Sequence, residues 1–296
     1  MARAKRWGYL LRRVKNIRFM PLYKATMIGF MANSILPARV GEIIGPLVLA
    51  RDMRIKKSSV IASAVVNRLL DGFSLMLIWL GTVLAIGVAK SGNVYLVAML
   101  FIGYILVTLM FYLFYRFSNG VIHWLKHRVG RFNKRLAVRM GRMLKAFADG
   151  LHVFGHKKHL SLAVFYSLLV WSFSIASTWL VMRSFHFTVD LPAYTCFLLV
   201  ALVCLGIAIP SSPGYIGTFE LSTFLSLQIA NPAITMSEAV SFALILHLVQ
   251  IVPIIIIGVI FLWVGNVRLS EYTMRKDVEE GHITDYDISK EVEIGG

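Results

Sequence analysis

The sequence predicts an all-α polytopic membrane protein with inverted-topology halves, each a Pro/Gly-broken re-entrant hairpin followed by a crossing helix. Three observations carry this. The 296-residue chain is 57% hydrophobic and only 16% charged, with a mean hydropathy of +0.71. Soluble domains sit nearer half apolar and about one-quarter charged. Several apolar runs reach the ~20 residues that a crossing helix needs. Two runs are interrupted by the same arrangement of Pro, a short spacer, Gly and Glu: Asn33-Ser-Ile-Leu-Pro-Ala-Arg-Val-Gly-Glu42, and Pro210-Ser-Ser-Pro-Gly-Tyr-Ile-Gly-Thr-Phe-Glu220. Paired interruptions in corresponding places of two halves point to a binding site framed by broken helices.

Taken in order, residues 1–20 are basic and hold no acid, which reads as a cytoplasmic leader against anionic lipid. Residues 21–50 are apolar but broken by Pro37 and Gly41, with basic residues on both flanks, so the segment is expected to dip in and return. Residues 58–89 then cross outward and 94–117 return, joined by the nearly neutral loop 90–93. The basic segment 118–159 carries apolar residues at helical spacing and is expected to lie as an amphipathic stretch on the inner leaflet. Residues 160–185 cross outward. Residues 193–230 form the second re-entrant hairpin, broken by Pro210, Pro213, Gly214 and Gly217. Proline cannot donate a backbone hydrogen bond, and glycine accepts left-handed angles. In lipid such a break is allowed only where the freed backbone faces protein or a wet cavity. Residues 237–264 cross inward, and 267–296 form an acidic cytoplasmic tail.

The first hairpin thus opens from inside and the second from outside, which inverts the halves. They are unequal: two crossing helices precede the second hairpin and none precedes the first. About two helices are expected upstream of Met1, with residues 1–20 as the end of the second of them.

The formal charge of +16 invites a nucleic-acid reading, but the cations flank apolar runs, as the positive-inside rule requires. No nucleic-acid partner is expected. Cys196 and Cys204 lie inside an apolar run and read as small packing residues. No metal spacing, nucleophile–base pair or phosphate-cradling loop is recognisable, so no cofactor, metal or catalytic group is expected and the chain does not read as an enzyme.

Ionisable residues at membrane depth are costly unless paired or wet, which singles out Arg39, Glu42, Arg68, Asp71 and Glu220. Arg68 and Asp71 are three residues apart and share a helix face; Asn67 is expected to point elsewhere. Two readings stand open. Glu42, Arg68 and Asp71 form a network that locks hairpin to helix, or Arg39 and Arg68 receive a lipid phosphate while the acids hold them. Glu220 either caps the restarting helix or contacts substrate or a proton. His247 and Gln250 sit about as far beyond Glu220 as Arg68 and Asp71 do beyond Glu42, which makes them secondary candidates. Tyr215 and Thr218 either line a polar site or satisfy freed backbone groups.

Arg6-Trp7, Asn33 to Glu42, Arg68-Leu-Leu-Asp71-Gly72, and Pro210 to Gly217 with Glu220 together resemble the lysylphosphatidylglycerol synthase transmembrane-region family, also called flippase-like domain proteins. The resemblance runs from about Arg6 to Val264. Two departures stand out: Gly45 where the family commonly has Arg, and Asn67 where it has Glu. The resemblance implies translocation or binding of a polar-headed (anionic, aminoacylated or glycosylated) lipid in the cell (inner or plasma) membrane. Its competitor is a non-transporting partner that presents lipid to a separate glycosyltransferase or aminoacyl-lipid synthase. Only about thirty residues follow Val264, too few for a soluble synthase domain.

Overall fold

The computed structural model describes residues 1–86, 157–208 and 212–265, with separated positions between 102 and 148. The expected crossing helix 94–117 and basic segment 118–159 fall largely outside the described residues, and Pro210 and the tail 267–296 wholly so. Among the described residues the chain is helical and no strand occurs. Helix α1 spans Ala2–Leu11, α2 Phe19–Ile35, α3 Gly41–Met53, α4 Lys57–Ile86, α5 Lys157–Arg183, α6 Tyr194–Ala208, α7 Thr218–Ala230 and α8 Met236–Val264. Among the described residues three helices are long and apolar enough to cross a membrane: Lys57–Thr82, Lys158–Arg183 and Met236–Val264.

The breakers act where the sequence places them. A residue before proline is pushed out of the helical region, and Leu36 ends α2 in an extended conformation, φ −96° and ψ 146°. Pro37 then opens a 3-10 turn over Pro37–Arg39, and α3 restarts at Gly41. The second break has the same form, with a 3-10 turn over Pro213–Tyr215 and a restart at Thr218. Each turn ends on a residue other than glycine in the left-handed region, Arg39 at φ 56° and Tyr215 at φ 61°. That conformation costs about 1–2 kcal/mol for a residue with a Cβ and persists only where the surroundings enforce it. The start of α8 follows from Thr235-Met-Ser-Glu238. The Glu238 N–H donates to the Thr235 hydroxyl, and the Thr235 N–H donates back to the Glu238 carboxylate at 2.8 Å, a reciprocal cap.

The arms of the first hairpin touch backbone to backbone. A Cβ on Gly41 would overlap the Gly29 carbonyl oxygen and the Asn33 N–H, and one on Gly45 would stand 3.0 Å from the Ala25 carbonyl oxygen. Around this contact Trp7 and Leu11 of α1, Ala25 and Ile28 of α2, Val48 of α3 and Val60 of α4 close one apolar core. A second core joins Cys196 and Leu199 of α6, Phe219 and Leu227 of α7, and Phe242 and Leu246 of α8. A third cluster joins Ile78 of α4, Trp171 of α5 and Val200 of α6.

Helix packing runs in matched sets. Hairpin α2–α3 has its counterpart in α6–α7, contact α3–α4 in α7–α8, and α1–α2 in α5–α6. The halves also exchange partners: α4 packs on α6 of the second hairpin, and α8 packs on α2 of the first. Helix α1 lies against α5, and the two 3-10 turns touch.

Residues 1–20 include a helix packed into the protein as well as exposed cations such as Lys5, Arg12 and Arg13. Helix α1 places Ala4, Leu10 and Leu11 in the interior and buries the guanidinium of Arg6 with them, because a carboxylate from α4 awaits it there.

Candidate functional site

Asp71 of α4 is 7% exposed, and three arginines converge on it. Arg6 Nη1 donates to Oδ1 at 2.7 Å, while Arg3 and Arg68 approach Oδ2 at 3.4 and 3.5 Å. Arg6, itself 2% exposed, also donates to the Ser167 hydroxyl of α5 at 2.9 Å. The next residue fixes the same face of α1: Trp7 Nε1 donates to Ser63 Oγ at 2.8 Å. The short Arg6 bond is charge-assisted and stronger than a neutral one. The contacts of Arg3 and Arg68 are longer and so weaker.

Glu42, in the first turn of α3, carries the second carboxylate. Its Oε2 lies 3.4 Å from Arg68 Nε, and its Oε1 lies 3.2 Å from Arg39 Nε. That last pair is not aligned for a hydrogen bond, since both atoms are buried without one. Arg68 therefore links the two acids, and Arg39 extends the chain to the hairpin turn. Four guanidiniums meet two carboxylates, a surplus of two positive charges.

All of these groups except Arg39 border a cavity of about 260 Å³ between α1, the first hairpin and α4. Arg3, Arg6, Arg68, Glu42 and Asp71 supply its charged wall, and Phe30, Ile61 and Val65 its apolar wall. Asn33 and Asn67 also line it, each with a side-chain oxygen that is buried and unpartnered. Asn67 thus faces the site, contrary to the expectation drawn from its spacing to Arg68. Arg3 stacks over Phe30, 5.2 Å from the ring centroid, a cation–π contact that steadies the guanidinium at the cavity edge.

The remaining candidates divide. Glu220 and His247 meet each other rather than the cavity: Glu220 Oε1 lies 2.8 Å from His247 Nδ1, and Oε2 accepts from the Gly217 N–H at 2.6 Å. Gln250, three residues beyond His247, is half-buried. Thr218 donates to the Tyr215 carbonyl oxygen at 3.0 Å, and the Tyr215 ring packs against the second core, so neither lines the arginine-walled cavity. Arg3 and Arg6 were missed as site residues. They are three residues apart in a helix whose adjacent face holds Ala4, Trp7 and Leu11, and that spacing could have revealed them.

A family model described as the lysylphosphatidylglycerol synthase TM region matches residues 1–258. Comparison with curated proteins and with solved structures found no match. The match includes both hairpins, every arginine and acid of the cavity, and the Glu220–His247 pair, and it covers most of the chain. This protein belongs to the lysylphosphatidylglycerol synthase transmembrane-region family and is a helical membrane protein.

Proposed function

We propose that this protein receives the headgroup of a polar, phosphate-bearing lipid in the arginine-walled cavity and moves it between leaflets of the cell membrane. The observation that carries this reading is a cavity of headgroup size lined by three arginines against two acids, a surplus of one positive charge on its wall, with apolar residues on its other side. Arg3 and Arg68 would take the phosphate, because their present contacts to Asp71 are long. Arg6 would keep Asp71 in place beneath them, and Glu42 would hold Arg68 and Arg39. The unpartnered oxygens of Asn33 and Asn67 would accept from hydroxyl or ammonium groups of the headgroup. No covalent chemistry is assigned to the site.

The exchange of helices between halves supports an inverted pair of hairpins, with each crossing helix packed on the other half's hairpin. Movement of one hairpin would then alter the packing of both halves, as alternating access requires.

The test is translocation of labelled lipid in liposomes holding the purified full-length protein. Vesicles with anionic lipid should show protein-dependent movement that falls at least tenfold in Arg68→Gln. Binding that is retained in wild type without any movement would replace this reading with that of a partner presenting lipid to a separate transferase. Absence of both would refute it.

A further inference from the structure

The second hairpin holds a polar pair of its own, remote in character from the arginine cluster. Glu220 stands in the first turn of α7 and His247 in the middle of α8. Both Glu220 oxygens are engaged, one by the Gly217 N–H and one by His247 Nδ1. A carboxylate only accepts, so the proton between Glu220 and the ring resides on Nδ1. The neutral imidazole then keeps its lone pair on Nε2, and that atom is buried with no partner.

The ring cannot turn to relieve it. His247 lies face to face on Phe219, with centroids 4.1 Å apart and planes 8° from parallel. Stacking on one face and the Glu220 bond at Nδ1 fix its orientation. The residue is 9% exposed and Nε2 itself is buried, so the ring is closed to a headgroup.

We propose that the Glu220–His247 pair is a proton-binding site. One N–H bond forms at Nε2, and the neutral ring hydrogen-bonded to a carboxylate becomes an imidazolium–carboxylate ion pair. The proton comes from water and returns to it, and no other bond changes. The ion pair joins α7 to α8, so proton uptake tightens the second hairpin against the last crossing helix. Helix α8 also packs along α2, an arm of the first hairpin, which gives proton binding a packed route towards the arginine-walled cavity.

The elements around α8 leave Glu220 as the charged group touching His247 among the described residues. Helix α7 contains no other acid or base. Helix α2 has Tyr23 and Lys24 near its start, with Lys24 bound to Asp52 at 2.9 Å. Helix α5 carries its cations near its two ends and Tyr166 between them. Glu238 on α8 is committed to Thr235, and Tyr215 packs in the same apolar core.

The test uses the full chain with nitrogen-15-labelled histidine in detergent micelles, titrated from about pH 9 to about pH 4 with no lipid transport involved. The chain has eight histidines, and the His247 signal is assigned as the one missing in His247→Gln. It should show Nδ1 protonated throughout and Nε2 gaining a proton on acidification. Glu220→Gln, which keeps an acceptor but removes the charge, should weaken that proton affinity at least about tenfold. Should His247→Gln fail to fold, Phe219→Leu assigns the signal by removing the stacked ring. An Nε2 that never gains a proton, or a midpoint unmoved in Glu220→Gln, would overturn the proposal. Either result leaves lipid binding at the first hairpin to be judged by its own assay.

Discussion

The arginine cluster predicts an asymmetry between its two most buried members. Replacing Arg6 with Gln removes a charge-assisted bond to Asp71 at 2.7 Å and a bond to Ser167 at 2.9 Å. It leaves Arg3 and Arg68 within 3.5 Å of the carboxylate, so the Asp71 charge stays compensated. The loss is then that of the bonds themselves, about 1.5–3 kcal/mol for the charged one and about 1 kcal/mol for the hydroxyl, part of which glutamine recovers. Replacing Asp71 with Asn is different, because Arg6 is left fully buried with no counter-charge and two further guanidiniums nearby. An uncompensated buried charge costs about 3–5 kcal/mol. Asp71→Asn should therefore destabilise more than Arg6→Gln, and the double mutant should be more stable than Asp71→Asn alone. Unfolding of the four proteins in one detergent, arranged as a double-mutant cycle, measures the coupling. Equal losses from the two single changes, or a double mutant as poor as their sum, would refute the account of Arg6 as the charge that Asp71 exists to hold.

Three further outcomes follow from packing and topology. Gly41→Ala drives a Cβ into the Gly29 carbonyl oxygen and the Asn33 N–H and should cost about 3 kcal/mol, the upper end of overpacking. Gly217→Ala, at φ 91° but with open space around it, should cost only the strain of about 1–2 kcal/mol; thermal melting ranks the two. Trp7→Phe keeps the ring in the core but loses the bond to Ser63, so about 1 kcal/mol should go, and Ser63→Ala in the same background should add little. For the proposed inverted topology, single cysteines at Lys56 and Asp190, both exposed, should label from opposite sides of the membrane. Labelling from the same side would remove the inversion.

Much of this fold was legible because broken helices leave a strong local signal. Pro37 dictates where α2 stops and Pro213 where the second 3-10 turn opens, and no packing information is needed to see it. The pairing of Glu42 with Arg68 was legible too, since a charge on a crossing helix needs a partner of opposite sign. The burial of Arg6 in α1 was not legible. A run of basic residues without an acid looks solvated when read alone, and the carboxylate that draws Arg6 inward lies 65 residues away. Charge run and ion-pair donor share one composition, and only the face carrying Ala4, Trp7 and Leu11 separates them. Asn67 was misplaced for a related reason. Its spacing was read only against Arg68, its sequence neighbour; four residues before Asp71 on α4, it shares that residue's helix face, and both border the cavity.

The two hairpins share a frame and differ in chemistry. Each has a 3-10 turn ending in a left-handed residue, a glutamate in the first turn of the returning arm, and a basic residue on the following helix that reaches that glutamate. Glu42 meets Arg68 at 3.4 Å, and Glu220 meets His247 at 2.8 Å. The contrast lies in what surrounds each pair. Around Glu42 the backbones of α2 and α3 close on glycine, which moves bulk away from α1 and α4 and leaves room for four arginines and a cavity. Beside Glu220, Phe219 stacks on His247 and belongs with Phe242 and Leu246 to one apolar core, which leaves one imidazole and one carboxylate next to apolar packing. An arginine remains charged at any physiological pH, whereas an imidazole can lose its proton. The first pair is therefore suited to holding a fixed anion, and the second to changing state while the same frame transmits the change.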